Sequence, residues 1–332
     1  MAGVLVLAEF EQGELRPEFW ELMTLATDFG AAGDGAVRVA LAGARLDEAL
    51  EAARRAGADE VIAIEDSRLA DPWPEGHAEA MAAMCGAFSP DLVLMPRTLL
   101  GVEAAARLAI RFGWPLLKDV TRLEKGSEGI LAARPVFGGA VSATLAARYG
   151  PWIVVPRPRA FAAAKPKEGA LSPVVRHELT LTEPPKTHCG ARQRQDSSGI
   201  KDIERARVLV AGGGGLGGPE PFRLLDEIAE LLGGAVAASR VPCDAGWVST
   251  VLQVGLTGKT VAPDLYLAVG ISGATQHLAG CASAQAIAVI NSDKHAPFFR
   301  LANYGVVGDW KDVMPGFRDT LKQKLQAGVG GA

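Results

Sequence analysis

Leu252-Gln-Val-Gly-Leu-Thr-Gly258 is followed closely by Val261-Ala-Pro-Asp-Leu-Tyr-Leu-Ala-Val-Gly-Ile-Ser-Gly-Ala-Thr-Gln-His277. The first string is a turn carrying two glycines. In the second, Leu265 to Ile271 is an apolar run of strand length. A glycine turn then leads into a short helix, Ala274 to Gly280, with a histidine one turn in. The next strand, Ala286 to Ile290, also ends in polar residues, Asn291-Ser-Asp293. Polar groups therefore recur where strands end. In an open α/β sheet that edge is where a ligand lies.

The same texture extends outward. Upstream, Arg207 opens a buried strand that runs into Gly212-Gly-Gly-Gly-Leu-Gly-Gly218, then a helix from Pro219 to Leu232 and a strand from Ala235 to Ser239. Downstream come a strand at Tyr304 to Gly308 and a helix at Val313 to Gln326. In the N-terminal half, strands at Val4 to Ala8, Val37 to Ala42, Glu60 to Ile64 and Asp91 to Met95 alternate with helices. Those helices begin at Pro17 and span Asp47 to Ala56, His77 to Phe88 and Glu103 to Phe112. Strict alternation predicts parallel sheets with helices on both faces.

After Pro115 the pattern turns β-rich, with strands at Val120 to Glu124, Ile130 to Pro135 and Ala140 to Ala147 and a hairpin loop at Gly126-Ser-Glu-Gly129. Trp152 to Pro156 is the strand that closes this part. Ala164 to Ile200 is rich in Pro, Lys, Glu, Thr and Ser and reads mainly as a linker; Val174 to Leu181 is a candidate strand within it. The expected fold is α/β with two domains, each a parallel sheet with helices on both faces. The C-terminal domain is Rossmann-like, and the N-terminal one has a β-rich extension. The expected boundaries are 1–186 for the N-terminal domain, 187–203 for the linker and 204–332 for the C-terminal domain.

The 332 residues are 48% hydrophobic and 22% charged with a net charge of −4, a globular balance with no basic block for nucleic acid. Cys85, Cys189, Cys243 and Cys281 form no Cys-x-x-Cys pair, so neither a zinc site nor a disulfide framework is expected. No apolar run approaches the roughly 20 residues that span a bilayer. With no basic leader at the N-terminus, a soluble cytoplasmic protein is expected. Thr187-His188-Cys189, Arg192 and Arg194 read as solvated linker residues.

Gly212, Gly214 and Gly217 fit G-x-G-x-x-G, as do Gly213, Gly215 and Gly218. A nucleotide phosphate cradle and a tight strand-to-helix turn fit this run equally well. An NAD site would place an acidic residue at the end of the next strand. Here that strand ends in Ser239-Arg240, which suits an NADP phosphate or a flavin ring that becomes anionic on reduction.

From Val208 to Trp310 the chain resembles the FAD-binding domain of the alpha subunit of electron transfer flavoproteins. The matching strings are A-S-R at Ala238 to Arg240, D-A-G at Asp244 to Gly246 and L-Q-V-G-x-T-G-K at Leu252 to Lys259. They continue as V-A-P-D-L-Y-x-A-V-G-I-S-G-A-x-Q-H-L-A-G at Val261 to Gly280, A-x-I-N at Ala288 to Asn291, A-P-x-F at Ala296 to Phe299 and Y-G-x-V-x-D at Tyr304 to Asp309. The N-terminal half is similar through V-L-V-L-A-E at Val4 to Glu9 and R-P-x-F-G-G-x-x-x-A-T at Arg134 to Thr144.

The resemblance implies bound FAD. It places Ser239 and Arg240 at the flavin, with Arg240 favouring the anionic semiquinone. It puts Thr257 near N5, within the run Gln253, Val254, Gly255, Leu256, Thr257, and His277 on the pyrimidine side. It assigns Ser272, Gly273, Ala274, Thr275 and Gln276 to the diphosphate and ribityl region, and Asn291 and Asp309, next to Trp310, to the adenosine half. This chain departs from the family at three places. Gly214 stands where the family carries an arginine, Leu256 where it carries glutamine and Asn303 where it carries aspartate.

The implied function is an electron carrier rather than a substrate-converting enzyme, a heterodimer with a beta subunit bound through the N-terminal domain. It would serve electron transport, taking electrons from flavin dehydrogenases such as the acyl-CoA dehydrogenases of fatty acid beta-oxidation. It would pass them to a quinone oxidoreductase or another acceptor, with electron bifurcation a variant. The alternatives are an NADP-dependent oxidoreductase with His277 as acid or base, and a nucleotide-binding scaffold without redox activity.

Overall fold

The computed structural model describes residues 3–31, 35–126, 129–137, 141–169, 171–179, 186–187, 190 and 201–329. His188, Cys189, Arg192 and Arg194 lie outside the described residues. Two compact units result.

The N-terminal unit begins with β1 (Val4–Ala8), every residue of which is buried. A small hairpin follows, β2 (Phe10–Glu11) and β3 (Glu14–Leu15), with Gln12 and Gly13 both at positive φ in its turn. Then come α1 (Pro17–Ala31), β4 (Val37–Gly43), α2 (Asp47–Arg54), β5 (Glu60–Glu65), α3 (Pro74–Phe88), β6 (Leu92–Leu94) and α4 (Leu99–Phe112). The remainder is β7 (Leu116–Val120), β8 (Arg122–Gly126), β9 (Gly129–Val136), β10 (Val141–Ala147), β11 (Trp152–Pro156) and β12 (Val174–His177). The main sheet has the order β12-β5-β4-β1-β6-β11-β7, and each neighbouring pair is parallel. Apolar clusters fill both of its faces, as a sheet covered by helices on each side requires.

Three expectations change here. The strand expected at Val120 to Glu124 is β8, shifted by two residues, and β7 just before it was not expected. Near the end of β7, Asp119 has a φ of 60° and accepts a hydrogen bond from Arg97 Nε at 2.6 Å; β7 stays in the parallel sheet, while β8 beyond Thr121 turns away. With β9 and β10, β8 forms a separate antiparallel sheet, which is the β-rich extension. Second, β11, the strand expected at Trp152 to Pro156, is not the last of this unit: it inserts between β6 and β7, and β12 follows it in the same sheet. Third, much of the segment read as a linker is built into this unit. Ala164 N donates to Trp20 O, Lys167 N to Arg55 O and Ser172 Oγ to the Ala58 carbonyl at 2.6 Å, and β12 pairs with β5. An edge strand needs backbone pairing on one side only, so its sequence carries little apolar signature.

After β1 the chain adds β4 and β5 on one side and then crosses over to add β6 on the other, which makes the carboxyl end of β1 the switch point of this sheet. Glu9 sits there with its side chain 10% exposed. Its Oε1 accepts a 2.5 Å hydrogen bond from Thr98 Oγ1, the hydroxyl that also caps α4 by accepting from Gly101 N. Burial pushes the Glu9 carboxyl up to about 7, with the Thr98 bond opposing that rise. A carboxyl raised above its unfolded value contributes stability at low pH that is lost as pH rises from about 4.5 through 7. Between pH 5 and 8 this group should withdraw about 2 kcal/mol from the folded state. Glu9→Gln is expected to remove that slope from urea unfolding curves measured across the range, and an unchanged slope would contradict the assignment.

The C-terminal unit comprises β13 (Val208–Gly212), α5 (Phe222–Leu231), β14 (Ala235–Ala238), α6 (Arg240–Asp244), β15 (Leu265–Val269), α7 (Thr275–Cys281), β16 (Ala286–Asn291), β17 (Tyr304–Val307) and α8 (Trp310–Val329). Its sheet is also parallel, in the order β14-β13-β15-β16-β17. Ile203, at the end of the expected linker, is buried in this unit's core. Cys85, Cys243 and Cys281 are free cysteines buried among apolar residues. Among the described residues no helix is long and apolar enough to cross a membrane.

Candidate functional site

The switch point of the C-terminal sheet lies between β13 and β15, because β13 is followed by β14 on one side and then by β15 on the other. The turns after these two strands are bonded together. Gly213 N donates to Val269 O at 2.9 Å and Gly215 N to Gly270 O at 3.0 Å. A Cβ on Gly213 would fall 2.2 Å from the Gly270 carbonyl oxygen, so glycine is required there for loop-on-loop packing. Gly217, at φ 80°, has open space where its Cβ would point. The helix of the expected fingerprint starts late. A 3-10 turn at Gly214–Leu216 intervenes and α5 begins only at Phe222. The glycine run is therefore both a packing device and an open-faced turn.

Three further loops join this pair. From the end of β14, Ser239 N donates to Gly212 O at 3.0 Å, and Ser239 precedes the unexpected helix α6. The loop of Gln253 to Gly258 is tied to β14 by Val254 N to Ala238 O at 2.9 Å and to α7 by Leu256 N to Gln276 O at 2.7 Å. Asn291, at the end of β16, donates from Nδ2 to the Ile271 carbonyl at 2.9 Å. Trp310 Nε1 reaches the Gly215 carbonyl at 3.2 Å. Strand ends scattered over about a hundred residues of sequence thus form one continuous rim.

The side chains on this rim fall into distinct groups. Arg240 is exposed and its Nε donates to Asp244 Oδ2 at 2.9 Å along the same short helix. Gln253 is buried and donates from Nε2 to Thr257 Oγ1 at 3.0 Å, which orients that hydroxyl on an otherwise exposed residue. Ser272, Ala274, Thr275 and Gln276 are exposed around the buried Gly273. Asp309 is exposed at the far end, its Oδ1 accepting from Lys311 N at 3.0 Å.

His277 differs from all of these, being 6% exposed. Its Nε2 lies 3.0 Å from the hydroxyl of Tyr266, which is wholly buried in β15, and its Nδ1 is buried with no hydrogen-bond partner at close range among the described residues. Burial pulls the imidazole down to about 4, with the Val254 backbone working against that shift, so the ring is neutral at pH 7. The sequence reading singled out His277 but missed Tyr266 and Asp244. The one available signal for Tyr266 was a hydroxyl in the middle of an otherwise apolar strand.

The departures from the family pattern also acquire places. Gly214 lies against α6, where a Cβ would meet Val241 Cγ1 at 3.0 Å, so a larger residue there needs the exposed Val241 side chain to give slightly. Leu256 is 72% exposed on the rim. Asn303 precedes β17, at the amino end of the sheet and away from the rim. Its Oδ1 accepts from Ile287 N at 2.8 Å, a role open to any side-chain oxygen in that place. Among the described residues no group of His, Cys, Asp and Glu could hold a metal ion.

Comparison with known proteins agrees with this architecture. The electron transfer flavoprotein domain model matches residues 4–182, and the electron transfer flavoprotein FAD-binding domain model matches residues 202–282. The chain is 33% identical to "Electron transfer flavoprotein subunit alpha" of Bacillus subtilis (strain 168) over 96% of its own length and 97% of that relative. It is 34% identical to "Protein FixB" of Clostridium saccharobutylicum over 98% of each chain. It is 35% identical to "Electron transfer flavoprotein subunit alpha" of Mycobacterium leprae (strain TN) over 98% of its own length and 99% of that relative. With both domains matched and its full length shared with such relatives, the chain belongs to the electron transfer flavoprotein alpha subunit family.

Proposed function

We propose that this chain is the FAD-holding subunit of a two-subunit electron carrier. In this reading it accepts electrons from flavin dehydrogenases, such as acyl-CoA dehydrogenases, and delivers them to a quinone oxidoreductase or another acceptor. The observation that carries the reading is the rim itself, where the turns after β13 and β15 meet at the switch point beside a buried imidazole whose Nδ1 has no partner at close range among the described residues. An orphaned buried polar atom at a strand-end crevice fits a ligand that supplies the missing acceptor.

Bound FAD supplies the one- and two-electron chemistry; the chain's own residues bind it and tune it. Gly214, whose neighbours in the glycine turn spend their N–H groups inside the protein, and Ser272 to Gln276 offer backbone N–H groups and hydroxyls to the diphosphate and ribityl chain. Thr257, held by Gln253, presents a hydroxyl to the ring. Arg240 contributes a permanent cation, and Asp244 limits its reach. Asn291, Asp309 and Trp310 belong to the adenosine half. No nucleophile–base pair enters this role, because the task is to bind, orient and set a potential.

The partner is a beta subunit, docked through the N-terminal domain. The antiparallel sheet of β8, β9 and β10 supports this, since β10 is an edge strand and Leu131, Val141 and Leu145 stand exposed. An open edge with exposed apolar side chains is a ready template for a second chain. We read the domain boundary as falling between 187 and 203.

Co-expression with a beta-type subunit should yield a yellow complex that releases FAD on denaturation. A colourless complex that binds NADP instead would overturn the reading. Arg240→Ala is expected to keep the flavin but to shift its midpoint potential negative by about 60 mV per electron, a tenfold change in the equilibrium. A potentiometric titration measures that shift, and an unmoved potential would remove Arg240 from the site.

A further inference from the structure

We infer that Tyr266 is a positioning residue for His277: its hydroxyl donates to Nε2 and so fixes the imidazole as the Nδ1–H tautomer, with Nδ1 a hydrogen-bond donor. This deepens the proposed function and rests on it for the identity of the acceptor, an oxygen or nitrogen of the bound flavin.

The protons on the buried pair can be counted. Tyr266 is fully buried, and the polar atom its hydroxyl meets among the described residues is His277 Nε2 at 3.0 Å. Burial holds the phenol well above its ordinary value, so it keeps its proton. His277 is neutral at pH 7, so one ring nitrogen carries a hydrogen and the other a lone pair. Were the hydrogen on Nε2, it would point at the tyrosine oxygen and leave the phenolic hydrogen to the sulfur of the neighbouring Cys281, a weak acceptor whose own hydrogen is directed at the His277 carbonyl at 3.6 Å. With the hydrogen on Nδ1, the phenol donates into the Nε2 lone pair and every buried proton but one is used. The remaining one is Nδ1–H, on an atom with no hydrogen-bond partner at close range among the described residues. The nearby Val254 backbone also favours a proton on the ring.

The ring has little freedom to escape this arrangement. It packs edge-on against Phe298, with centroids 5.7 Å apart, and is tilted against Tyr266 at 6.0 Å. Gly273, immediately before α7, lies so close to Phe298 that a Cβ would fall 2.4 Å from the Phe298 nitrogen. Tyr266, Phe298 and the Gly273 turn therefore hold one imidazole in one orientation. In water a histidine side chain prefers the other neutral tautomer, so the core imposes the choice.

The full chain, labelled with 15N-histidine and co-expressed with its beta-type subunit, tests this directly. His277 is identified as the signal lost in His277→Gln among the five histidines of the chain. The expected spectrum has a protonated Nδ1 and a pyridine-like Nε2; a protonated Nε2 overturns the proposal. Tyr266→Phe supplies the second readout. Losing the donor weakens Nδ1–H, so FAD affinity should fall about tenfold and the flavin potential should move negative. A folded Tyr266→Phe protein with unchanged potential overturns the positioning role. If that variant fails to fold, the spectrum of the unsubstituted protein still decides. If the complex carries no FAD, the proposed function fails, while the nitrogen spectrum alone still judges the Tyr266–His277 pair.

Discussion

Gly273→Ala is expected to destabilise the C-terminal domain by about 3 kcal/mol and to abolish flavin retention, whereas Gly246→Ala is expected to cost about 1 kcal/mol. Both glycines have positive φ, 83° at Gly273 and 71° at Gly246. Only Gly273 also faces neighbouring backbone. A Cβ there would lie 2.4 Å from Phe298 N and 2.7 Å from its Cα, while Gly246 has nothing within 4 Å. The Phe298 backbone must therefore move, and Phe298 packs on both Tyr266 and His277. Strain at the turn would reach the imidazole that the site depends on. Urea unfolding of the two variants separates the close approach from the φ penalty common to both. Equal losses in the two would sink the idea that the turn is clamped by Phe298.

Acidification should weaken the C-terminal domain through His277. Its folded value, about 4, is below the ordinary 6.5 of an exposed imidazole. Between those values the unfolded chain binds a proton that the folded domain excludes. The stability contribution is thus fully present above 6.5 and is lost as pH falls from 6.5 towards 4. The arithmetic gives about 2 kcal/mol between pH 7 and 4.5. A His277→Gln comparison isolates this group from the carboxylates, and identical pH slopes in the two proteins would rule it out. The N-terminal domain should respond in the opposite sense over the same range, because Glu9 and Glu21 are both pushed up to about 7, chiefly by burial. Mild acid should therefore strengthen one domain while loosening the other, and domain-resolved hydrogen exchange would show which amides open first.

Much of the fold was legible in the residues, because alternating apolar strands and helices leave few solutions other than parallel sheets with covered faces. Strands such as β1 and β15 are short continuous apolar runs bounded by polar or glycine residues, and the pattern located them to within two residues. Order across the sheet was not legible in that way. That β11 inserts between β6 and β7, or that β12 adds an edge beside β5, depends on pairings between residues far apart in sequence. The irregular end of β7 at Asp119 was hidden for a related reason. It is stabilised by Arg97, 22 positions away, and no local pattern marks it.

The sequence alone determined the class of fold, the strand ends that make up the rim, and the family to which those strings are similar. These are local properties, written in periodicity, glycine turns and runs of identical residues. Tertiary structure alone decided what each rim residue can do. It turned the glycine run into a packed double turn, held Arg240 to Asp244, and buried His277 against Tyr266 with one nitrogen left over. A histidine's tautomer, charge and direction depend on which groups surround it and how far water is excluded. Those are properties of neighbours brought together by folding, and no single stretch of sequence contains them.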